Sequence, residues 1–385
     1  MRIGLNAISL VPGRIGGMET YLRNLVATLQ RLDTANRYVL MADPRHAGAI
    51  PVTAENFSVR TFSYAKPSLG WFARGVVRNL TGRDILRGAV DRLAVDVIHH
   101  PFTVLTPPGT RIPSVLTFWD MQHEFFPEFF APLDLRRRRM LYRSSAEEAT
   151  RIIVSATFTK ECLVERYGID PAKITVIFTG IGDGFGVVDD GRLLEGVRER
   201  HGLRRPFLYY PAATWPHKNH RALLSAFRLL ADRGLFDGDL VLSGIAMQSH
   251  GEILAEIGRL GLEERVRVLG YLPTEELPLL YNLATALVFP SLFEGFGIPL
   301  VEAMACGCPI ICADAASLPE VAGDAGVLFD PRCVEEMAEA IGRTVADPER
   351  LQGLRRRGLE RARLFDWEAT ARQTLRVYGE AAGSR

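Results

Sequence analysis

Two glutamates with seven residues between them, Glu294 and Glu302, stand in the stretch SLFEGFGIPLVEAMACG at 291–307. Gly295 and Gly297 allow close backbone approach just after the first, and Pro299 suits the first turn of a helix on which Glu302 falls about one turn in. A carboxylate accepts hydrogen bonds from hydroxyls, so one on a loop and one on a helix can each hold a diol. The backbone N–H groups of Phe296, Gly297 and Ile298 are placed to meet a phosphate or sugar oxygen between them. Such a pair is suited to gripping two polyols that flank a pyrophosphate. The same spacing also fits glutamates set at a helix start to offset its dipole.

A third group bears on that choice. In ATWPHKNHRALL, Lys218 lies on a polar loop just before a helix, where an ammonium beside free N–H groups makes a phosphate clamp. Taken singly it is equally a solvated surface lysine. Gly16 and Gly17 separate a strand from a helix near Glu19, either as a turn that lets a phosphate or acceptor reach the backbone or as an ordinary connection. The run Gly180, Gly182, Gly184, Gly186 has the wrong spacing for a dinucleotide loop and reads as a hinge.

These groups must be carried by elements of the right kind. Apolar strand-like runs (RIGLNAISL, VDVIHH, SVLTF, RIIVSA) alternate with helical patterns, which calls for a parallel sheet covered by helices. After KITVIF the glycine- and aspartate-rich GIGDGFGVVDDGRLL reads as a linker, and the alternation restarts at RPFLYYPA. The expectation is α/β with two doubly wound domains: 1–185, a linker at 186–204, and 205–365. The amphipathic segment FDWEATARQTLRVYGEA, at 365–381, reads as a final helix, taken as 366–385 and assigned to the first domain.

The chain has 385 residues, 47% apolar and 24% charged, enough for two sizeable cores. The start reads as a first strand and not a secretion signal, and no apolar run approaches the length needed to cross a bilayer, which implies a cytoplasmic protein. Five cysteines without an export signal argue against disulfides, and Cys306, Cys308 and Cys312 lack the spacing of a zinc site. Net charge is +1 but uneven: residues 1–185 carry 23 basic and 17 acidic groups (+6), and 186–385 carry 23 and 28 (−5). The first half is therefore expected to face something anionic. Nucleic acid is disfavoured because no reading motif accompanies the basic groups. Arg136 to Arg139 and Arg143, with Trp71, Phe72, Arg74, Arg78, Arg83 and Arg87, form either a solvated face or a shallow contact with anionic lipid at the inner face of the membrane.

The Glu294–Glu302 stretch resembles the E-x7-E signature of retaining glycosyltransferases of the GT-B fold, most closely family 4 (the group 1 type). IGGMETYLRNL is similar to that family's first glycine loop, PHKNHRALLSAF to its phosphate-lysine segment, and VRVLGYLPTEELPLLYNLATALVFPSLFEGFGIPLVEAMACGCPII to its most specific block. The resemblance implies two Rossmann-like domains facing a cleft, with a last helix that crosses back to the first. It implies a nucleotide-diphosphate sugar as donor, a glycan or lipid-linked acceptor of cell-surface polysaccharide synthesis, and no metal or other cofactor. Mannose from GDP-mannose is the first choice of donor, and UDP-sugars come next. By the same resemblance Glu294 contacts the transferred sugar, Glu302 the ribose and Lys218 the diphosphate.

Two departures stand out. The family's arginine a few residues before the lysine is absent, since Ala212, Ala213, Thr214 and Trp215 occupy that stretch. Where members often show His-Asp, this chain has Trp119-Asp120. His123 is then the candidate for the vacated role, with Asp120 orienting it; the alternative is that Asp120 caps a helix start and His123 packs with Phe125 and Phe126. Other readings of the same residues are a GT-B sugar-nucleotide epimerase and an inactive nucleotide-sugar-binding protein.

Overall fold

The structure, a computed structural model, describes residues 1–13, 16–63, 69–81 and 84–384. It divides into two compact units, Met1–Gly180 with Asp366–Arg385, and Ile181–Phe365.

In the first unit the described strands are β1 (Arg2–Ala7), β2 (Arg37–Ala42), β3 (Phe57–Thr61), β4 (Val97–His100), β5 (Ser114–Thr117), β6 (Arg151–Val154) and β7 (Ile174–Val176). They pair in parallel in the order β3-β2-β1-β4-β5-β6-β7. Leu5 stands opposite Leu40 on one side and His99 on the other. Central strands such as Val97–His100 and Ser114–Thr117 are buried at every residue, as parallel strands covered on both faces must be.

Helix Gly17–Leu32 buries Tyr21, Leu22, Leu25, Val26 and Leu29 on one face. Helix Trp367–Gly383 packs beside it and presents Ala371, Thr374, Val377, Tyr378 and Ala381 inward at helical spacing. Asp366 caps it by accepting from the Ala369 N–H at 2.9 Å. The Tyr378 hydroxyl lies 2.7 Å from His99 Nδ1, which fixes the helix to β4.

The second unit has β8 (Phe207–Pro211), β9 (Asp239–Ser243), β10 (Val266–Val268), β11 (Ala286–Phe289), β12 (Ile310–Ala313) and β13 (Gly326–Phe329). Their order is β10-β9-β8-β11-β12-β13, again parallel.

Residues 186–204, read from sequence as a linker, carry the helix Gly191–Arg200 and belong to this unit. Asp190 caps that helix through the Arg192 and Leu193 N–H groups, so the aspartates that suggested loop instead start a helix. Asn282 holds the segment at both Gly186 and Val188, and Glu276 pairs with Arg200 and His201.

Candidate functional site

The sheet orders locate the crevices. In the second unit the chain runs outward from β8 through β9 to β10, then returns to β11 on the other side of β8. Ligands of doubly wound sheets bind beyond the strand carboxyl ends at such a reversal. The loop after β8 carries Lys218 and the loop after β11 carries Glu294, so the switch point is flanked by the two groups singled out in the sequence.

Hydrogen bonds lace these loops together. The Asn219 side chain donates to the carbonyls of Pro290 (3.1 Å) and Pro331 (2.8 Å), and the Leu292 N–H donates to His217 O at 2.8 Å. Asn219 adopts a left-handed conformation (φ 59°), which asparagine tolerates. The Tyr210 hydroxyl donates to Lys218 O at 2.7 Å and lies 3.2 Å from Ser291 Oγ. The result is a direct contact: Lys218 Nζ sits 2.5 Å from Glu294 Oε1, with the side chains 17% and 14% exposed. The two groups were expected to serve different parts of one ligand, and the structure also makes them partners of each other.

Past Glu294 the chain is pinned by Ser317, whose hydroxyl lies 2.9 Å from Glu294 O and 3.0 Å from Phe296 O. Gly297 has φ 101° and precedes the helix Ile298–Ala305, with Pro299 in its first turn. A Cβ on Gly297 would come 2.7 Å from Leu318 Cδ2, so the loop depends on glycine there. The Phe296 side chain is buried against Phe365. Glu302 accepts from the Tyr281 hydroxyl at 2.9 Å. Burial pushes its carboxyl up to about 7, against the lowering effect of that hydrogen bond. Tyr281, on helix Leu277–Leu283, stands edge-on to Tyr209.

In the first unit Gly16 (φ 51°) precedes helix Gly17–Leu32, and Glu19 steadies the turn by accepting from the Gly13 N–H at 2.8 Å. Trp119 donates from Nε1 to Pro101 O at 2.7 Å and stands edge-on to Tyr21. Asp120 accepts from the Gln122 N–H at 3.0 Å at the start of the short helix Gln122–Phe125.

His123 corrects the sequence expectation. It is 1% exposed, with its ring edge-on to Tyr142 and Phe130 and Nε2 3.2 Å from the Tyr167 hydroxyl. Burial pushes its imidazole down to about 4, so the ring is neutral near pH 7, and it is packed inside the first unit where the relay reading needed it open to a ligand. The packing alternative holds, with partners other than Phe125 and Phe126. His123→Ala is accordingly expected to cost on the order of 2–4 kcal/mol of stability through the cavity it leaves. The check is a lowered Tm with turnover per folded molecule unchanged.

The basic run is largely engaged. Arg138 pairs with Asp134, Arg139 with Glu124, Arg143 with Glu147, and Arg74 with Asp84. Arg87 lies 3.9 Å from Asp91. Phe72, Leu133 and Met140 are exposed. The side chains of Trp71 and Arg78, and residue Arg83, lie outside those described. Among the described residues no helix is long and apolar enough to cross a membrane, and no three His, Cys, Asp or Glu side chains gather as metal ligands.

Sequence reasoning missed Tyr281, Ser317 and Asn219. Tyr281 was read only as part of a helix, Ser317 stands well outside the signature stretch, and the asparagine beside Lys218 passed as loop polarity.

Comparison with known proteins follows this division. Residues 15–183 match the model of "Glycosyltransferase Family 4" and residues 197–361 that of "Glycosyl transferases group 1". The chain is 30% identical to the O-antigen chain mannosyltransferase B of Escherichia coli over 265 residues, 69% of this chain and 70% of that protein. It is 30% identical over 231 residues to the serotype-specific mannosyltransferase WbdA of Escherichia coli, covering 58% of this chain but 28% of that longer protein. Its fold matches the crystal structure of Anabaena Alr3699/HepE in complex with UDP and glucose at a TM-score of 0.75, 21% identity, and 99% and 100% of the two chains. Two parallel α/β units of this order, matched by both family models and by a relative aligned over most of its length, make the chain a glycosyltransferase of the GT-B fold, belonging to family 4 of the group 1 type.

Proposed function

We propose that the protein is a retaining glycosyltransferase that moves a hexose, with mannose from GDP-mannose as first choice and a UDP-sugar otherwise, onto a glycan or lipid-linked acceptor in cell-surface polysaccharide synthesis. The observation that carries this reading is the Lys218–Glu294 pair across the switch point of the second unit. The mannosyltransferase names of the two Escherichia coli relatives favour the sugar, and UDP in the Anabaena structure favours a nucleotide-diphosphate donor.

In this reading Lys218 lies against the diphosphate and holds the charge that develops on the leaving group, with the N–H groups of the 296–298 turn beside it. Glu294 receives hydroxyls of the transferred sugar, and Glu302 the ribose diol. On the first unit, Gly16 and Gly17 bring backbone to the donor phosphates, and Asp120 serves the sugar. The anomeric carbon–phosphate oxygen bond breaks as the acceptor oxygen bonds to the same face. The acceptor proton passes to the leaving phosphate oxygen, so no metal is called for in this scheme. On this reading the protein is cytoplasmic and works at the inner face of the membrane.

A ribose contact is made equally in ground and transition states, so Glu302→Ala should raise the donor KM, whereas Glu294→Gln should lower kcat. Kinetics equal to wild type in both variants would sink the assignment. Thin-layer analysis of the donor with and without acceptor separates transfer from epimerisation, because an epimerase alters the donor alone.

Glu302 also gives a pH dependence. An ionised carboxylate is the better acceptor for a diol, so the donor KM should fall as pH rises through about 7, and Glu302→Gln should flatten that profile. The stability effect has the opposite sign. A carboxyl raised from 4.5 to about 7 favours the fold while protonated, and that contribution is lost as pH rises across this interval. Glu302→Gln should therefore gain in Tm relative to wild type above pH 7.

A further inference from the structure

Glu302 owes its setting to one side chain. The Tyr281 hydroxyl donates to Glu302 Oε2 at 2.9 Å, and among the described residues neither the hydroxyl nor the carboxylate has another hydrogen-bond partner. The two stand on different helices, Leu277–Leu283 and Ile298–Ala305, which pack on each other. Tyr281 is fully buried, its ring 5.3 Å from that of Tyr209 and 6.2 Å from that of Phe185, while Glu302 keeps part of its surface open. The tyrosine therefore cannot meet a ligand itself, and whatever it does for one passes through the carboxylate.

The terminal torsion of a glutamate is broad, so an unheld carboxylate swings. A hydrogen bond to Oε2 fixes its plane and leaves Oε1, with the second lone pair of Oε2, to accept from two neighbouring hydroxyls. An apolar ring would fill the space beside Tyr209 and Phe185 equally well. The carboxylate is what accounts for the hydroxyl.

Charge points the same way. Burial, and then the carboxylate beside it, hold the Tyr281 phenol well above its usual value, so it stays a donor. Its bond favours the ionised form of Glu302 against the burial that pushes that carboxyl up to about 7. The neighbouring groups are uncharged near neutral pH or engaged elsewhere. Tyr209 on β8 and Cys306 at the end of the same helix are both raised by burial, the thiol to about 12. Glu276, just before helix Leu277–Leu283, pairs with Arg200 and His201. Helix Pro348–Ala362, packed on helix Ile298–Ala305, turns Arg355, Arg357 and Arg361 to backbone carbonyls.

We propose that Tyr281 is a positioning residue for Glu302, holding Oε2 so that the carboxylate receives both vicinal hydroxyls of the donor's ribose, and thereby setting a preference for ribonucleotides over their 2′-deoxy forms. The ribose end of this inference rests on the transferase reading, whereas the bond between Tyr281 and Glu302 does not.

The test is Tyr281→Phe, which keeps the ring and its packing. Carbon NMR of the Glu302 carboxyl in the full chain, labelled at glutamate and assigned by its loss in Glu302→Gln, should give a titration midpoint about one pH unit or more above wild type. Tyr209→Phe, whose lost hydroxyl lies 2.7 Å from Ser243 Oγ, should leave the midpoint in place. In calorimetry with GDP, UDP and their 2′-deoxy forms, wild type should favour the ribonucleotide that binds by roughly tenfold, and Tyr281→Phe should lower that ratio by roughly threefold or more. The variant's loss of affinity should be about fivefold or more near pH 7 and shrink toward pH 9, where both carboxyls are ionised. A midpoint unmoved by Tyr281→Phe overturns the proposal, as does a loss equal at pH 7 and pH 9 with the ribose preference intact. Equal binding of the two forms by wild type would instead strike the ribose assignment of Glu302, and absence of nucleotide binding the transferase reading; in either case the carboxyl titration still decides whether Tyr281 holds Glu302.

Discussion

Lys218→Ala is expected to lower kcat/KM by roughly 30- to 150-fold, or about 2–3 kcal/mol, the usual worth of a charge-assisted bond in a closed site. The lysine is held at both ends. Its carbonyl accepts from Tyr210, and its ammonium lies 2.5 Å from Glu294 and 5.7 Å from the centre of the Phe289 ring. On the proposed reading the alanine variant loses the cation that faces the leaving diphosphate; it also strands a carboxylate that is 14% exposed. Lys218→Arg restores charge with a different shape and should recover most of the loss. Because one contact joins the two residues, the double variant Lys218→Ala/Glu294→Gln should cost less than the sum of the single ones. Normal turnover by the alanine variant would reduce Lys218 to a structural ion-pair partner.

Gly244→Ala is expected to destabilise by about 2–5 kcal/mol, combining left-handed backbone strain with overpacking. Gly244 follows β9 with φ 136°, and a Cβ there would meet Ala212 O at 2.4 Å and Ala213 N at 2.9 Å. Both contacts are backbone, so no side chain can swing aside. The Ala212–Trp215 segment leads directly to Lys218. It is bound to the β9 loop by Ala212 N–H to Ser243 O (2.8 Å), Thr214 N–H to Ile245 O (3.1 Å) and Met247 N–H to Thr214 Oγ1 (2.6 Å). Moving one loop therefore moves the other. In a unit of this size the Tm should fall by roughly 5–15 °C, and kcat/KM should drop at least tenfold even where the protein stays folded. Gly251→Ala is the control: its Cβ meets nothing within 4 Å inside helix His250–Arg259, and it should be neutral or slightly stabilising. Matching behaviour of the two variants would refute the close-approach argument.

This close approach bears on the departure noted in the sequence. At 212–215 the chain has Ala-Ala-Thr-Trp, without the arginine that the resemblance leads one to expect, and here those residues join two strand ends. The pyrophosphate of a donor would then depend on Lys218 and backbone N–H groups, which makes the geometry of these loops weigh more heavily.

The sequence by itself determined the α/β class, the two sheets and the positions of Lys218, Glu294, Gly297 and Glu302. Those features are written in local terms: apolar runs of strand length, helical spacing, and glycine and proline at turns. The capped helix at 191–200 is local too, and was hidden only because aspartate and glycine mark loops and helix starts alike. What the tertiary structure alone decided are contacts between residues distant along the chain. Lys218 meets Glu294 across 76 positions, and Tyr281 reaches Glu302 across 21. His100 has one ring nitrogen engaged by Asn6, 94 positions away, and the other left without a partner. His123, on the short helix that follows β5, was drawn into an aromatic cluster instead. Residue type and spacing state which groups are capable of chemistry, but burial and partners set their charge, tautomer and access, and those depend on strand order and packing that no local pattern encodes.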